Sequence, residues 1–188
     1  MARRIDTQLD GLVLVEPEVH GDDRGFFVET FSFDAWQGLG VDAEFVQHNH
    51  SRSGKGILRG LHFQTSPGQA KLIRCPRGSI FDVAVDLRRG SPTYGQWEGY
   101  VLDDEKHRQL YVPVGFAHGF CVLSDVADVT YLVSSLYDPE TEAGIRWNDP
   151  EVGVEWPARD PQLSARDETA PLLSEVKDDL PFEYQEGK

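Results

Sequence analysis

The 188-residue chain has few cysteines, a minority of basic residues and no long apolar run. Its two cysteines, Cys75 and Cys121, form no spaced pattern, so we expect buried free thiols rather than a disulfide framework. No segment approaches the roughly 20 apolar residues of a membrane-spanning helix. The N-terminal stretch MARRIDTQLDG carries basic residues but lacks the apolar region of a secretory signal. Together these absences predict a soluble, cytoplasmic protein.

Basic residues are outnumbered, with 18 Lys and Arg against 32 Asp and Glu, and the net charge is −14. A field of that sign repels nucleic acid and anionic membranes, so neither is an expected partner. An anionic ligand would have to be held by a local cluster of cations. The sequence also lacks the G-x-G-x-x-G and P-loop motifs. Arg88, Arg89 and Arg108 are predicted to be solvated charges.

What the chain does contain is a series of short β-rich segments separated by Gly, Pro, Asp and Ser. This close spacing is typical of a β-sandwich or barrel rather than of βαβ units. Helix is scarce, with one candidate at 33–39 and another after Pro171. We predict one all-β domain spanning 1–188, with a core at about 11–156 and a C-terminal extension at 157–188. The predicted strands are 12–15, 25–31, 44–49, 57–64, 70–75, 79–86, 97–102, 109–112, 119–123 and 129–134.

The segment GILRGLHFQ, at 56–64, combines a strand pattern with two polar residues that are costly to bury. Arg59 and His62 lie among apolar neighbours, where an unpaired cation or imidazole is expensive. In a regular strand, alternation would send these two side chains to opposite faces. For both to face one cavity the strand needs a twist or bulge, and Gly60 is the expected place for it.

Lys71, His118 and Tyr131 also place polar tips in apolar settings. One shared cavity explains them, together with Arg59 and His62, better than five separate buried exceptions do. These residue types suit the removal of a proton from a carbon beside a ketone. A histidine such as His62 can act as the base near neutral pH. Lys71 and Arg59 could stabilise the enolate, and Tyr131 could return a proton to the opposite face.

A metal site is an alternative use for the histidines. The HNH pattern at 48–50 is similar to part of a metal-binding cupin motif, but no carboxylate follows it closely, and Gln64 is a poor ligand. Arg52, Arg59 and Lys71 crowd the same region, and a cation site would avoid such neighbours. We therefore predict that the site holds no metal.

Longer motifs carry a resemblance to a known family. They are DDRGFFVETF, FVQHNHSRSGKGILRGLHFQ, QAKLIRCPRGSIFDVAVDLRRGSPTYGQW, YVPVGFAHGF, YDPETEAGIRWNDP and LSARD. In these motifs and their order the chain resembles the dTDP-4-dehydrorhamnose 3,5-epimerase family. The resemblance runs from about Gly11 to Leu173, which is nearly the whole chain, and is far more specific than a lone short motif.

The resemblance implies a cupin-like jelly-roll fold that needs no cofactor or metal and forms a homodimer. The implied substrate is a dTDP-4-keto-6-deoxyhexose, epimerised at C3 and C5 on the route to dTDP-L-rhamnose. His62 would be the general base, Asp167 its orienting partner and Tyr131 the general acid. Lys71 would face the developing enolate or the diphosphate.

The resemblance also implies which residues hold the substrate. In the family, the segment that contains Arg24 and Glu29 reaches the site of the neighbouring subunit. Arg166 stands where relatives often carry Lys, which keeps the charge but changes the donor geometry. The implied substrate-binding residues are Arg24, Glu29, Gln47, Asn49, Arg59, Lys71, His118, Glu142 and Arg166.

Three other functions stay open from the sequence alone. A sibling enzyme would epimerise only C3 or only C5 of a related dTDP-4-keto-deoxysugar, with selectivity in the cavity shape. A catalytically silent sugar-nucleotide-binding cupin would share the fold, although loss of His62 or Tyr131 would mark such a protein. A metal-dependent cupin oxygenase would contain metal, which analysis of the purified protein would reveal.

Overall fold

The structure, a computed structural model, describes residues 2–186. Within that range the chain forms thirteen β-strands and three short helices, so the expected all-β class is confirmed. In the same range no helix is long and apolar enough to cross a membrane. The strands are β1 (Arg3–Ile5), β2 (Val13–Glu16), β3 (Val19–Asp22), β4 (Gly25–Val28), β5 (Gln47–Gly54), β6 (Leu58–Gln64), β7 (Lys71–Arg77), β8 (Ser79–Asp86), β9 (Trp97–Asp103), β10 (Gln109–Val112), β11 (Phe116–Val122), β12 (Val126–Val133) and β13 (Glu142–Gly144). The helices are α1 (Phe33–Gln37), α2 (Ala165–Glu168) and α3 (Leu173–Val176).

Two antiparallel sheets form the cupin-like jelly roll. The larger sheet has the order β1-β2-β10-β7-β12-β5 and the smaller β13-β6-β11-β8-β9, while β3 and β4 form a separate hairpin. The principal core lies between the two sheets. Ile73 and Val129 enter it from the larger sheet, and Ala84 and Phe120 enter it from the smaller one. Apolar side chains from two inner faces are what hold a sandwich together.

The smaller sheet is also covered on its outer face. Val83 and Val85 there belong to a buried cluster that includes Leu173 and Phe182 from the C-terminal part of the chain. Burial on both faces explains why β8 is almost continuously apolar instead of alternating. Residues beyond 156 thus pack against this sheet. The single-domain assignment and its boundary at 156 and 157 stay predictions.

The strand that carries Arg59 and His62 is bulged, as predicted. His118 in β11 lies opposite His62, but Phe120 lies opposite Arg59, so β6 has one extra residue at this point. Gly60 sits in the bulge with φ +129°. A Cβ atom there would lie 2.5 Å from the Cα of Gly119, which no side chain could tolerate. The bulge turns both Arg59 and His62 toward one cavity.

Arg88 departs from the sequence-based expectation. It is only 8% exposed, and its guanidinium donates to Asp86 at 2.8 and 2.9 Å. The same group lies over the rings of Phe116 and Tyr184, at 4.5 and 5.0 Å from their centroids. The prediction of a solvated Arg88 is therefore wrong, because the C-terminal segment covers it.

The two thiols behave as predicted. Cys75 and Cys121 are both buried and unpaired. Burial raises the pKa of the Cys75 thiol to about 12, so this thiol stays protonated at neutral pH. Neither residue lines the cavity described below.

Candidate active site

A cavity of about 630 Å³ opens between the two sheets, at the end where β5, β6, β7, β11 and β12 come together. A cavity of this size is large enough for a nucleotide-sized ligand. Most of the residues that line it have polar side chains. The sequence-predicted residues that line it are Gln47, Asn49, Arg59, His62, Lys71, His118, Tyr131, Glu142, Arg166 and Asp167.

His62 and Asp167 form a hydrogen-bonded pair in the cavity wall. The His62 Nε2 atom lies 2.5 Å from Asp167 Oδ1, and the Asp167 side chain is only 4% exposed. A neutral ring that donates Nε2–H to the carboxylate keeps an unprotonated Nδ1, which is then the nitrogen available to a ligand. The pair is arranged as a base with an orienting carboxylate.

Asp167 reaches His62 across 105 positions of sequence because two local contacts place it. Gln162 pairs with Ile57, which brings the C-terminal segment alongside the start of β6. Ser164 then caps α2, its Oγ accepting from the Asp167 amide at 3.2 Å. Burial raises the pKa of Asp167, but the hydrogen bond with His62 and the other donors outweigh it, so the net pKa is lowered. The carboxylate is therefore ionised at neutral pH.

Tyr131 approaches the cavity from the opposite sheet. It lies on β12 of the larger sheet, whereas His62 lies on β6 of the smaller one. Burial raises the pKa of Tyr131, nearby Arg59 opposes that effect, and the net shift is upward. The phenol therefore keeps its proton at neutral pH and is available as a donor.

Lys71 is the buried cation of the site. It is 9% exposed, and its Nζ donates to the carbonyl of His62 at 3.3 Å. Burial lowers the pKa of Lys71 from 10.5 to about 8, although Glu142 and Asp82 act in the other direction. The ammonium is thus held close to the His62 backbone and remains the majority form at pH 7.

His118 lies directly opposite His62 in the sheet. Its Nε2 lies 3.1 and 2.9 Å from the two carboxylate oxygens of Asp82, which is fully buried. Burial lowers the pKa of His118, and the Asp82 carboxylate only partly compensates. A second histidine–carboxylate pair therefore adjoins the first.

The β5 wall presents neutral polar groups, and Arg59 of β6 is hydrogen-bonded to it. Gln47 donates to Asn49 Oδ1 at 2.8 Å, which orients both amides along the strand. Arg59 donates through Nε and Nη2 to Ser53 Oγ, at 3.1 and 3.0 Å. A hydroxyl leaves the Arg59 charge uncompensated, so the guanidinium can bind an anion.

Glu142 and Arg166 form an ion pair at the cavity mouth. Arg166 Nη1 lies 2.5 Å from Glu142 Oε2, and the hydroxyl of Tyr137 also donates to Glu142. Burial raises the pKa of Glu142, but these donors outweigh it and the net pKa is lowered. The ion pair fixes one rim of the cavity.

Arg24 and Glu29 do not lie with the others. Arg24 occupies the tip of the β3–β4 hairpin, 90% exposed, with its guanidinium 2.5 Å from Asp22. Glu29 follows β4 and is also exposed. Neither lines the cavity, so the cavity contains only part of the predicted binding set.

The family model for dTDP-4-dehydrorhamnose 3,5-epimerase matches residues 6–175. The chain belongs to this family. A dTDP-4-dehydrorhamnose 3,5-epimerase from Methanothermobacter thermautotrophicus is 53% identical over 155 residues, which cover 82% of this chain and 84% of the relative. A dTDP-4-dehydrorhamnose 3-epimerase from Streptomyces niveus is 46% identical over 172 residues, covering 90% of this chain and 83% of that one.

A solved epimerase structure closely matches the fold as well. The dTDP-6-deoxy-D-glucose-3,5-epimerase of Legionella pneumophila, in complex with dTDP-4-keto-L-rhamnose, superposes with a TM-score of 0.95. The two chains are 46% identical, and the match covers 98% of this chain and all of the other. The epimerase family and the jelly-roll fold are thus established by independent comparisons.

Several lining residues of this epimerase-family cavity were not identified from the sequence. Ser51 continues the inner face of β5, and a period-two run of polar residues from Gln47 onward could have revealed it. Asp82 was also not identified; it lies behind the lining, against His118, and a polar residue in an apolar strand is the same signal that revealed His62. The other polar lining residues to which no role was assigned are Gln64, Gln69, Tyr137, Gln162 and Ser164.

The HNH histidines face away from the cavity. Because β5 alternates, Asn49 lines the cavity, while His48 lines a second, smaller pocket and His50 lies 3.6 Å from Asp128. Across residues 2–186, no three His, Cys, Asp or Glu side chains are grouped so as to hold a metal ion. That the reaction uses no metal stays a prediction.

Proposed function

We propose that the chain is an isomerase that converts dTDP-4-dehydro-6-deoxy-D-glucose to dTDP-4-dehydro-L-rhamnose by epimerising C3 and C5. Membership of the family supports this assignment. The observation that carries it is the placement of the His62–Asp167 pair and Tyr131 on opposite walls of one cavity. Inversion at carbon needs a base on one side of the sugar ring and an acid on the other.

Each inversion is a proton exchange at a carbon beside the 4-keto group. His62 Nδ1 takes the proton from carbon, and the C–H electron pair moves into the ring to leave an enolate at the C4 oxygen. Asp167 stabilises the imidazolium that forms. Tyr131 then gives its hydroxyl proton to the opposite face of the same carbon, and the C4 carbonyl re-forms. Exchange with solvent returns the His62 proton to water and reprotonates Tyr131.

Lys71 supplies the positive charge that the enolate needs. Its buried ammonium acts in a site of low dielectric constant, where stabilisation of a developing oxyanion is strong. Together His62, Tyr131, Asp167 and Lys71 account for both proton transfers without electron transfer. We therefore propose that the reaction needs neither a redox cofactor nor a metal.

The diphosphate and nucleotide would lie toward the cations and amides of the cavity. The side chains proposed to hold them from the same subunit are Gln47, Asn49, Arg59, His118, Glu142 and Arg166. In a chain with net charge −14, this concentration of cations explains how a dTDP-sugar is bound despite overall repulsion.

A homodimer would complete this site. The β3–β4 hairpin exposes Phe26 and Phe27, at 61% and 69%, which is unusual for adjacent aromatic residues on a free surface. We propose that the hairpin packs on a second copy and brings Arg24 and Glu29 to the neighbouring cavity. We also propose that the enzyme acts in the cytoplasm.

A single-site epimerase is the second candidate function. The Streptomyces niveus relative is named a 3-epimerase, yet it is 46% identical to this chain over most of its length. Proton exchange at one carbon needs the same base and acid as exchange at two. Selectivity would then depend on how the cavity lets the sugar ring turn between C3 and C5.

Proton NMR of dTDP-4-keto-6-deoxyglucose incubated with the protein in D₂O tests the proposal. Deuterium at both C3 and C5 is the expected result, and deuterium at one carbon would assign a single-site epimerase. The variant His62→Ala should lose both exchanges but still bind dTDP. Absence of any exchange in the unmodified protein would point instead to a sugar-nucleotide-binding protein.

A further inference from the structure

Asp82 is a buried carboxylate to which the mechanism above gives no role. It lies on β8, is fully buried, and is the residue opposite Phe120, diagonally across the smaller sheet from His118. Across residues 2–186, the only hydrogen-bond partner of the His118 ring is this carboxylate, which lies 3.1 and 2.9 Å from Nε2. Because a buried carboxylate is costly unless it is paired, this contact determines which nitrogen of His118 carries a hydrogen.

The geometry selects one tautomer of His118. An ionised Asp82 accepts and cannot donate, so His118 Nε2 must carry a hydrogen. Nδ1 is then the ring nitrogen left for the cavity, as in the neighbouring His62. Because β11 pairs with β6 at His118 and His62, two histidine–carboxylate pairs stand side by side with the same nitrogen free.

The charges around His118 determine when it can take up a proton. Asp82 on β8 favours the charged ring, whereas Lys71 on β7 and His62 on β6 disfavour it, and burial disfavours it further. In the ligand-free protein at neutral pH, these opposing effects leave the ring neutral. A diphosphate that enters the cavity adds negative charge on the Nδ1 side and shifts the balance toward the imidazolium.

We propose that Asp82 is a positioning residue: it fixes the tautomer of His118 and enables that ring to take up one proton from solvent when a nucleoside diphosphate binds. The proton adds to Nδ1, which then donates to a phosphate oxygen, while Nε2–H continues to donate to Asp82. The proposal rests on the proposed function only in taking a dTDP-linked compound as the ligand. It is independent of which carbon is epimerised.

Titration calorimetry with dTDP measures this proton directly. Binding at pH 7.5 in Hepes and in Tris, whose ionisation enthalpies differ, gives the number of protons taken up per dTDP. The protein should take up a substantial fraction of a proton, and Asp82→Asn should reduce this value to near zero. The affinity of Asp82→Asn for dTDP should be about tenfold lower than that of the wild type, because the charge-assisted hydrogen bond from His118 to the phosphate becomes a neutral one. Asp128→Asn is the matched control, because Asp128 is a buried carboxylate that pairs with Arg52 outside the cavity. Its proton uptake and its affinity for dTDP should equal those of the wild type.

A double-mutant cycle separates positioning from a general structural effect. His118→Asn should abolish the proton uptake by itself, and adding Asp82→Asn to it should change the dTDP affinity little further. Kinetically, Asp82→Asn should raise KM for the sugar nucleotide more than it lowers kcat. Wild-type proton uptake and affinity in Asp82→Asn would overturn the proposal.

Nitrogen-15 NMR of the wild-type ring provides a test that needs no variant to fold. The His118 signals should show a neutral ring protonated on Nε2 without ligand, and protonation of both nitrogens with dTDP. A ring protonated on Nδ1 in the free protein, or failure to bind dTDP, would contradict the proposal. If dTDP binds with proton uptake but no sugar hydrogen exchanges in D₂O, the proposed epimerase function fails and the role of Asp82 stands.

Discussion

At the scale of single residues, the two histidines of the cavity differ in their access to solvent rather than in their partners. The side chain of His62 is 27% exposed, whereas that of His118 is 8% exposed, although each donates to a carboxylate. A base that must release protons to water after each turnover needs contact with solvent. A group that only binds an anion is more effective where water is excluded. The same residue type is thus suited to two roles by burial.

Tyr131→Phe should separate proton removal from proton return. The phenyl ring keeps the packing of Tyr131 but cannot donate, so net epimerisation should fall by roughly 100-fold or more. His62 can still remove and return a proton on its own face, so exchange of substrate hydrogen with D₂O should fall much less. NMR of substrate and product over time measures both rates. Tyr94→Phe, at a partly buried tyrosine outside the cavity, should leave both unchanged. Equal losses of exchange and epimerisation in Tyr131→Phe would contradict the acid role.

Lys71→Met should stabilise the fold while it impairs turnover. The pKa of Lys71 is about 8 in the folded chain against 10.5 when unperturbed, so the unfolded state binds more protons between these values. The free energy of unfolding therefore rises as the pH rises from about 8 to 10.5. Below about pH 8 the whole cost of burying the Lys71 ammonium lowers the stability of the fold. At roughly 1.4 kcal/mol per pKa unit, removal of the amine should raise the free energy of unfolding at pH 7 by about 3 kcal/mol.

Urea unfolding at pH 7 and at pH 10 tests the Lys71 prediction. The difference between Lys71→Met and the wild type should shrink markedly at the higher pH. Lys55→Met, at an exposed lysine, should change stability little at either pH. If Lys71→Met were less stable than the wild type at pH 7, the contacts of the buried ammonium with its neighbours would outweigh the cost of its desolvation, contrary to the prediction.

At the scale of elements, strands with strong apolar patterns could be predicted, and short strands without such a pattern could not. The bounds of β8 and β10 agree with the sequence prediction at both ends, because turn residues flank clear apolar runs. β1, β3 and β13 have three or four residues each and form only by pairing with a distant or adjacent partner. Their own residues carry no period that a local reading could detect.

In the candidate site too, residues with a local sequence signal could be predicted, and residues placed by tertiary contacts could not. Arg59 and Lys71 were identified because polar tips stood out in apolar strands, and both line the cavity. Asp167 and Glu142 lie in polar surroundings, where a solvated carboxylate is the default, and only the family resemblance singled them out. Asp167 reaches His62 through tertiary contacts of the C-terminal segment, and Glu142 reaches the cavity because β13 pairs with β6. The spacing of Ser164 and Asp167 did offer one local signal, since a serine three residues before an acidic residue is typical of a helix start.

Gly60→Ala should disrupt the β6 bulge. A methyl group at this position would meet the Cα of Gly119 at 2.5 Å and the carbonyl oxygen of His118 at 2.9 Å, both of them backbone atoms. With the added strain of φ +129°, stability should fall by about 3 to 5 kcal/mol. Gly56→Ala is the control, since φ is +76° but nothing lies within 4 Å of its added Cβ. Its loss should be about 1 kcal/mol, measured by the same urea unfolding. Equal losses in the two variants would show that the strand can shift to accommodate a side chain.

At the scale of the whole molecule, a single chain contains the proposed catalytic residues but only part of the proposed binding set. The two sheets supply the His62–Asp167 pair and Tyr131 from opposite walls. Arg24, by contrast, projects from a hairpin that makes no part of either sheet. In the proposed two-fold dimer, the hairpin of each subunit would lie over the cavity of the other, because the symmetry makes the two contacts equivalent.

Co-expression of two inactive variants tests whether Arg24 acts across the dimer. His62→Ala removes the base, and Arg24→Ala should weaken binding of the sugar nucleotide enough to suppress turnover at low substrate concentration. In a mixed dimer with trans contribution, one site carries both defects and the other carries none. Random pairing makes half of the dimers mixed, so about a quarter of wild-type activity should return. If Arg24 acted within its own subunit, every site would carry one defect and no activity would return. Co-expression of His62→Ala with Asp167→Asn is the matched control. Both residues lie in one subunit's cavity, so activity should stay at the level of the separate variants.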